Sequence, residues 1–444
     1  MLRRRPSTAC VLEPIWDMAF TYSHPLSQVG GDKGASMQST IFNLVNTTIG
    51  AGLLCLPYAM QLNGMVSGAV ILCIIAWAAG KSANMLAVCL EHTGAPSYGD
   101  LAMSVWGERG KRIVELTNCT CSFGMMCGYT CIIGDILAPV FVNLLSGPPP
   151  PSLKRSPVIA IVSTFILLPL SSLEHMSSLA ASSYFAFAFV VFFVCCVTIK
   201  TLVLSPFPEF AADYSGSTPK AVFFRYDIVA YMRSAPIVFT AFLNHMNVPI
   251  LYNDLSAAKL PSEPNCFRRF GSKLARMGMA TSVALLICLV LSIIVGEFGY
   301  IYFRNNTTSN VLKDYEPSKL IDVMRVAYAL VLSTCFPLQA YGCRKVLHRA
   351  IFGKDVEATT LHRWVEAFFL LIFSTTVAVL VTDLGVILGL TGSTAGCAIM
   401  YIFPGAFYRA YALETGASPL QGTLFVACGC FAGLAGSIVT LIGN

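Results

Sequence analysis

Two stretches of this 444-residue chain set small, polar and aromatic residues where an apolar helix would otherwise run without a break. The first is Asn46-Thr47-Thr48-Ile49-Gly50-Ala51-Gly52, which resumes as helix toward Pro57. The second is Phe239-Thr240-Ala241-Phe242-Leu243-Asn244-His245, which runs on to Pro249. A half-helix that starts at such a break presents unpaired N–H groups and a positive dipole end, which suits an anionic group. The carbonyls freed on the other side can accept from a cation. Glycine at positions 50 and 52 lets a ligand approach the backbone closely; the alternative is a glycine kink used for packing. Inside a bilayer such backbone is tolerated only where protein or a water-filled cavity satisfies it. Paired interruptions in the two halves of a chain point to a transporter's binding site near the membrane midplane.

A free amino acid is a zwitterion, so its site needs donors for the carboxylate and acceptors for the ammonium. Thr47, Thr48, Gly50, Ala51 and Gly52 at the first break are the substrate candidates there. At the second, Phe239, Thr240 and Phe242 are the candidates, with the rings lining a side-chain pocket. Sodium, a hard cation, needs several oxygens; backbone carbonyls at Asn46 and Ile49 with hydroxyls at Ser333 and Thr334, just before Pro337, form the best candidate cage. The rival account is that Ser and Thr bond their own helix, as they do routinely in membrane helices. Asp135, within Ile133-Gly134-Asp135, is an ionisable residue inside a span and so a functional candidate by default. It would carry a coupling proton, counter a substrate's positive charge, or simply make a structural hydrogen bond. His245 would suit a proton-sensitive gate, or would sit neutral against a carbonyl. Glu297 is expected to be an exposed carboxylate.

These candidates need helices to hold them, and composition requires those helices to lie in lipid. Hydrophobic residues make up 55% of the chain and charged ones only 12%, against roughly 25% charged in a soluble domain. Runs of about 20 apolar residues, enough to span a bilayer, recur about eleven times: 39–63, 66–90, 112–145, 157–173, 176–204, 229–254, 273–302, 319–342, 362–382, 384–404 and 421–442. Met1–Met37 carries Arg3-Arg4-Arg5 with no apolar run after it, so it reads as a cytosolic segment and not a signal peptide. The transmembrane domain is then 38–444. No GxGxxG and no phosphate-cradling loop ending in Gly-Lys-Ser/Thr occurs, nor any hydrolytic triad, so an enzyme and an ATP-driven pump are not expected.

Lys and Arg cluster in alternate loops. Arg109, Lys111, Arg112, Lys259, Arg268, Arg269, Arg344, Lys345 and Arg349 fall on one side, and Lys154, Arg155, Lys220, Arg225, Arg304 and Lys313 on the other. By the positive-inside rule the N-terminus is cytosolic and, with an odd number of spans, the C-terminus is outside. The sequons at Asn305 and Asn306 then lie in an outer or luminal loop, where glycosylation is expected. A net charge of +6 does not imply a nucleic-acid partner, because the cations sit beside membrane helices and suit anionic lipid. The 17 cysteines lie nearly all within apolar segments and the outer loops 146–156, 205–228 and 303–318 contain none, so no disulfide framework and no metal site are expected.

Helices one to five and six to ten form two five-helix repeats, each opening with an interrupted helix, with one extra helix at the end. An odd number of spans per repeat inverts the second relative to the first. Pro148–Pro151 makes a stiff turn between helices three and four.

The stretch Ser39–Leu54, followed by Leu56-Pro57-Tyr58-Ala59-Met60, resembles the opening helix of the amino acid/auxin permease family, nearest to its sodium-coupled neutral amino acid transporters and vacuolar permeases. Ser97-Tyr98-Gly99-Asp100-Leu101, Trp106-Gly107, Ile133-Gly134-Asp135, Phe242-Leu243-Asn244-His245, Val248-Pro249, Phe336-Pro337 and Phe403–Tyr408 extend the resemblance along the chain. It implies an all-α polytopic fold like the bacterial leucine transporter, with eleven helices, a 5+5 inverted repeat and broken helices one and six. It also implies symport of amino acids with sodium or protons, with no other cofactor. By the family pattern Ala51 and Gly52 hold the carboxylate, and Asn46, Ile49 and Ser333 or Thr334 lie at the sodium position; His245 matches a histidine of that branch. The chain departs in lacking cysteines between helices five and six, and in reading Ser333-Thr334-Cys335 before Pro337. The expectation is a secondary active amino acid transporter, functional as a monomer in the plasma membrane or a vacuolar or lysosomal membrane. An amino acid sensor and an uncoupled facilitator are the alternatives.

Overall fold

The computed structural model describes residues 35–144, 155–173, 182–204, 210–211, 221–255, 272–353 and 356–442. Residues 1–34, Pro148–Pro151 and the middle of the 205–228 loop, named above, lie outside the described residues. Apart from a two-residue parallel pairing of β1 (Phe210–Ala211) with β2 (Ala221–Val222) and a bridge between Ala35 and Leu255, the regular structure is helical.

Ser36 starts α1 (Met37–Thr48) by accepting from the Ser39 N–H at 3.2 Å. The helix stops at Thr48, and α2 (Gly52–Asn63) leaves at 62° to it. Next come α3 (Met65–Thr93), α4 (Tyr98–Leu144), α5 (Arg155–Ser171, with a π turn at Ser163–Leu167) and α6 (Ser182–Leu204). In the second half, Asp227 caps α7 (Ile228–Ala241) by accepting from Val229 and Ala230 N–H, and the chain resumes as α8 (Val248–Asp254) with Pro249 in its first turn, where a missing N–H costs nothing. Then follow α9 (Lys273–Phe303), the one-turn α10 (Val311–Asp314), α11 (Lys319–Phe352), α12 (Thr360–Leu380), α13 (Leu384–Thr415) and α14 (Leu420–Ile442).

Both predicted interruptions are therefore present, at 49–51 and 242–247. Among the described residues eight helices are long and apolar enough to cross a membrane, or nine if α1 and α2 form one span. The expected eleven is not reached by that measure, because α5 and α7 are apolar but shorter. α7 is short because it breaks. Two boundaries also differ from expectation. α4 begins at Tyr98 and bends at Gly107, whose φ of 69° is open to glycine at little cost, so its first turns form a separate short piece. α13 runs past 404 to Thr415 through π turns at Gly392–Gly396 and Ala398–Ile402.

Polar contacts gather at the two ends of the bundle. At one end Gln61 donates to Asn305 O, Arg225 N–H to Asn63 O, and Arg155 pairs with Asp135. At the other, Asn253 donates to Ala95 O and Pro96 O, Lys111 pairs with Asp100, and His348 Nδ1 lies 2.6 Å from Glu366 Oε1. The loops that the sequence assigned to one side thus meet one another. Between the ends the core is apolar and close-packed, and Gly392 lets α13 meet α7: a Cβ there would lie 2.0 Å from Pro236 O. We expect Gly392→Val to lower the thermal midpoint of the purified protein, by an amount equivalent to roughly 1–3 kcal/mol or more, since a backbone atom cannot move aside as a side chain would; fluorescence thermal unfolding in detergent would measure it.

Candidate functional site

The two breaks meet. A Cβ on Gly52, the first residue of α2, would lie 2.7 Å from Ala241 Cα, the last residue of α7. Only glycine allows this approach, and it brings the start of one half-helix against the end of another. No side chain caps the N-terminus of α2, where Ala51 is the cap residue. Its first-turn N–H groups are the kind that hold an anion. Gly50 O is accounted for: it accepts from Leu53 N–H at 3.2 Å and from the Tyr328 hydroxyl of α11 at 3.0 Å. The Tyr129 hydroxyl of α4 lies 3.6 Å from where a Gly50 Cβ would be. Two tyrosines from different helices therefore flank the first break, and the sequence pattern did not single out either.

At the second break Phe242 closes α7 by donating its N–H to Phe239 O, and Asn247 N–H returns to Asn244 O. Phe239 and Phe242 are buried; Phe239 stands edge-on to Tyr401 with ring centroids 5.3 Å apart. His245 is wholly buried, and its Nε2 lies 2.7 Å from Ser82 Oγ of α3 with the Ala79 backbone also within hydrogen-bonding reach. Asn244 is buried as well, and neither end of its carboxamide has a hydrogen-bond partner among the described residues. A buried, unpaired amide costs on the order of 1–3 kcal/mol, so Asn244 is a polar group at the break that sequence reasoning did not select.

The hydroxyl candidates mostly satisfy their own helices. Thr47 and Thr48 both donate to Leu44 O, at 3.1 and 2.6 Å, and Thr240 donates to Ile237 O at 2.7 Å. Ser333 donates to Ala329 O and Thr334 to Val331 O. Each retains acceptor lone pairs for a ligand. Thr48 is buried whereas Thr47 is exposed; Asn46 is half-buried beside buried Ile49.

Asp135 sits six residues beyond Tyr129 on α4, about 9 Å along the axis at 1.5 Å per residue. It is not at the breaks. Its Oδ1 accepts from Arg155 Nε at 2.6 Å and its Oδ2 from Asn310 Nδ2 at 3.3 Å. Arg155 also donates to Ala378 O and to Cys131 Sγ, so it joins α4, α5 and α12. Above this pair the segment 304–318 folds back. Ser309 Oγ donates to Asp383 Oδ1 at 2.6 Å, Cys55 Sγ donates to Ser309 O at 2.7 Å, and buried Arg325 donates to Leu312 O and Tyr315 O. Asn305 and Asn306 are exposed on this segment. Glu297 corrects an expectation: it is half-buried against an apolar groove that includes Met65, Val70 and Phe223, and its enclosed Oε2 has no hydrogen-bond partner among the described residues.

Arg155→Ala would leave the Asp135 carboxylate with only Asn310. We expect it to destabilise the protein by roughly 3–5 kcal/mol, as removal of one partner from a buried pair does, with much of the loss recovered in the Arg155→Ala/Asp135→Asn double variant. Thermal unfolding of wild type, Arg155→Ala, Asp135→Asn and the double variant in one detergent tests the pair.

Residues 33–442 match the family described as "Transmembrane amino acid transporter protein". Vacuolar amino acid transporter 2 of Saccharomyces cerevisiae is 25% identical over 385 residues, covering 84% of this chain and 76% of that protein. A putative sodium-coupled neutral amino acid transporter 11 of Danio rerio is 26% identical over 388 residues, covering 86% and 81%. Among solved structures, the nucleobase-cation-symport transporter Mhp1 with bromovinylhydantoin bound superposes with a TM-score of 0.54 at 11% identity over 92% of both chains. MhsT in complex with L-phenylalanine gives 0.52 at 13% identity, over 93% of this chain and 99% of that one. The fold is that of the bacterial leucine transporter class, in keeping with the paired breaks.

Proposed function

Because this chain belongs to the transmembrane amino acid transporter family, we propose that it moves amino acids across its membrane by ion-coupled symport, with the solute held between the two helix breaks and exposed to each side in turn. The contact of Gly52 with Ala241 carries this reading, since it sets the uncapped start of α2 beside the end of α7. The N–H groups at Gly50, Ala51 and Gly52 take the substrate carboxylate, and carbonyls at the end of α7 take the ammonium. Phe239 and Phe242 line the side-chain pocket, with Thr240, Thr47 and Thr48 offering lone pairs at its edge. Those flanking rings suit a neutral amino acid.

The coupling ion is sodium or a proton. The Tyr328 bond to Gly50 O supports sodium, because it holds α11, which bears Ser333 and Thr334, against the break near Asn46 and Ile49. Asp135 and His245 are the proton candidates. The arginine pairing of Asp135 and the hydroxyl partner of His245 make both less available for that role. The N-terminus faces the cytosol, and the membrane is that of the cell surface or of a vacuole or lysosome.

Uptake of labelled amino acids into proteoliposomes, under an imposed sodium or proton gradient, tests the proposal. Accumulation above the external concentration under one gradient is expected, with at least a tenfold loss of uptake in Gly52→Val, whose side chain must displace Ala241 backbone. Tyr328→Phe keeps the ring and removes the bond to Gly50 O; we expect it to fold and to weaken substrate affinity roughly three- to tenfold, the worth of about one hydrogen bond. Equal concentrations inside and out under both gradients would instead identify an uncoupled facilitator.

A further inference from the structure

A second cavity lies under the 304–318 segment, at the end of the bundle that the positive-inside rule places outside. Its volume is about 360 Å3, within the size range of small-molecule sites. Tyr58, Asp135, Asn310, Lys313 and Asp383 line it, with backbone and hydroxyl groups of 307–309 and Thr382 between them.

The charges facing this space do not cancel in place. Asp135 is committed to Arg155 at 2.6 Å; Asp314, next to Lys313 in sequence but not lining the cavity, is taken up by Thr308, which donates to it from both N–H and hydroxyl. Asp383 is different. It accepts from Ser309 Oγ and from Gly385 N–H, bonds that orient the carboxylate without neutralising it. Lys313 is exposed on the same cavity and makes no ion pair among the described residues. Asn310 is 2% exposed, and while its Nδ2 donates to Asp135, its Oδ1 has no hydrogen-bond partner among the described residues. The cavity thus offers a fixed anion and an unfilled acceptor, and a mobile cation at its rim. A ligand complementary to all three carries an ammonium and an anionic group in one small molecule.

Resting on the amino acid reading above, we propose that this cavity is a second, weaker site for the zwitterion. It receives the ammonium between Asp383 and Asn310 Oδ1 and the carboxylate at Lys313, before the solute reaches the helix breaks. Charged groups at a rim act mainly on the rate of encounter and its dependence on salt. Asp383 and Lys313 therefore set the apparent affinity for uptake and leave its maximal rate alone.

Equilibrium binding of labelled L-leucine to the purified protein, together with uptake kinetics in proteoliposomes, tests this. Wild type should bind at two classes of site. Lys313→Ala and Asp383→Asn, the latter keeping an acceptor for the Gly385 N–H, should each lose the weaker class and keep the tighter. In uptake both should raise KM by roughly two- to fivefold at low ionic strength, the scale of an exposed charge interaction, with Vmax held and the gap closing in high salt. Gly52→Val should do the reverse in the binding assay, removing the tighter class and sparing the weaker. A single class of site in wild type, a KM unmoved by either substitution, or a KM shift indifferent to salt would overturn the second site. Absence of the tighter class, with the weaker one present and sensitive to Lys313, would instead count against the central site.

Discussion

An unpaired peptide group away from water costs on the order of 1–3 kcal/mol, and the two helix breaks impose that cost at the centre of an apolar bundle. Their surroundings are arranged to meet it. The Tyr328 hydroxyl crosses from α11 to Gly50 O, Leu53 N–H turns back to the same oxygen, and Phe242 and Asn247 N–H close the second break locally. The donors at the start of α2 receive no such side-chain partner. The Gly50 carbonyl is thus accounted for, whereas the N-terminus of α2 has no side-chain cap, an arrangement that suits an anionic group.

Bringing the breaks together requires helices to approach more closely than Cβ atoms permit. Gly52 against Ala241, and Gly392 against Pro236, place α7 between α2 and α13. Because the tightest of these contacts are with backbone, the geometry around the break is stiff. α13 passes the same region through two successive π turns, a feature frequent at functional sites.

Both breaks were legible because they are local: Gly50-Ala51-Gly52 and the proline beyond each break are signals within a few residues of the event. The same holds for the back-bonding of Ser333 and Thr334, a habit of hydroxyls in apolar helices. The partners were not legible. Tyr129, Tyr328 and Ser82 come from helices distant in sequence, and a lone tyrosine in a membrane helix carries no mark of what it faces. Asp135 announced itself as a charge in a span, yet its partner Arg155 stood in a segment read as an outer loop. The burial of Glu297 is not legible because a position near a helix end says nothing of helix rotation; Met65, Val66 and Phe223 line the groove it shares. Gly107 hid a bend inside what reads as loop and helix, since one φ of 69° redirects the chain without any change in composition.

Four hydrogen bonds fasten the first part of the 304–318 segment to the bundle: Gln61 to Asn305 O, Ser309 to Asp383, Cys55 to Ser309 O and Asn310 to Asp135. At ~1 kcal/mol net apiece they amount to about 4 kcal/mol, and the full burial of Val311 adds to this, so the segment rests closed over the cavity. Arg325 holds the base of the same segment through Leu312 O and Tyr315 O, so opening swings the segment about a fixed root and does not unfold it. Access to the cavity from that side therefore depends on a few polar contacts that water can replace, while the Arg325 anchor stays in place.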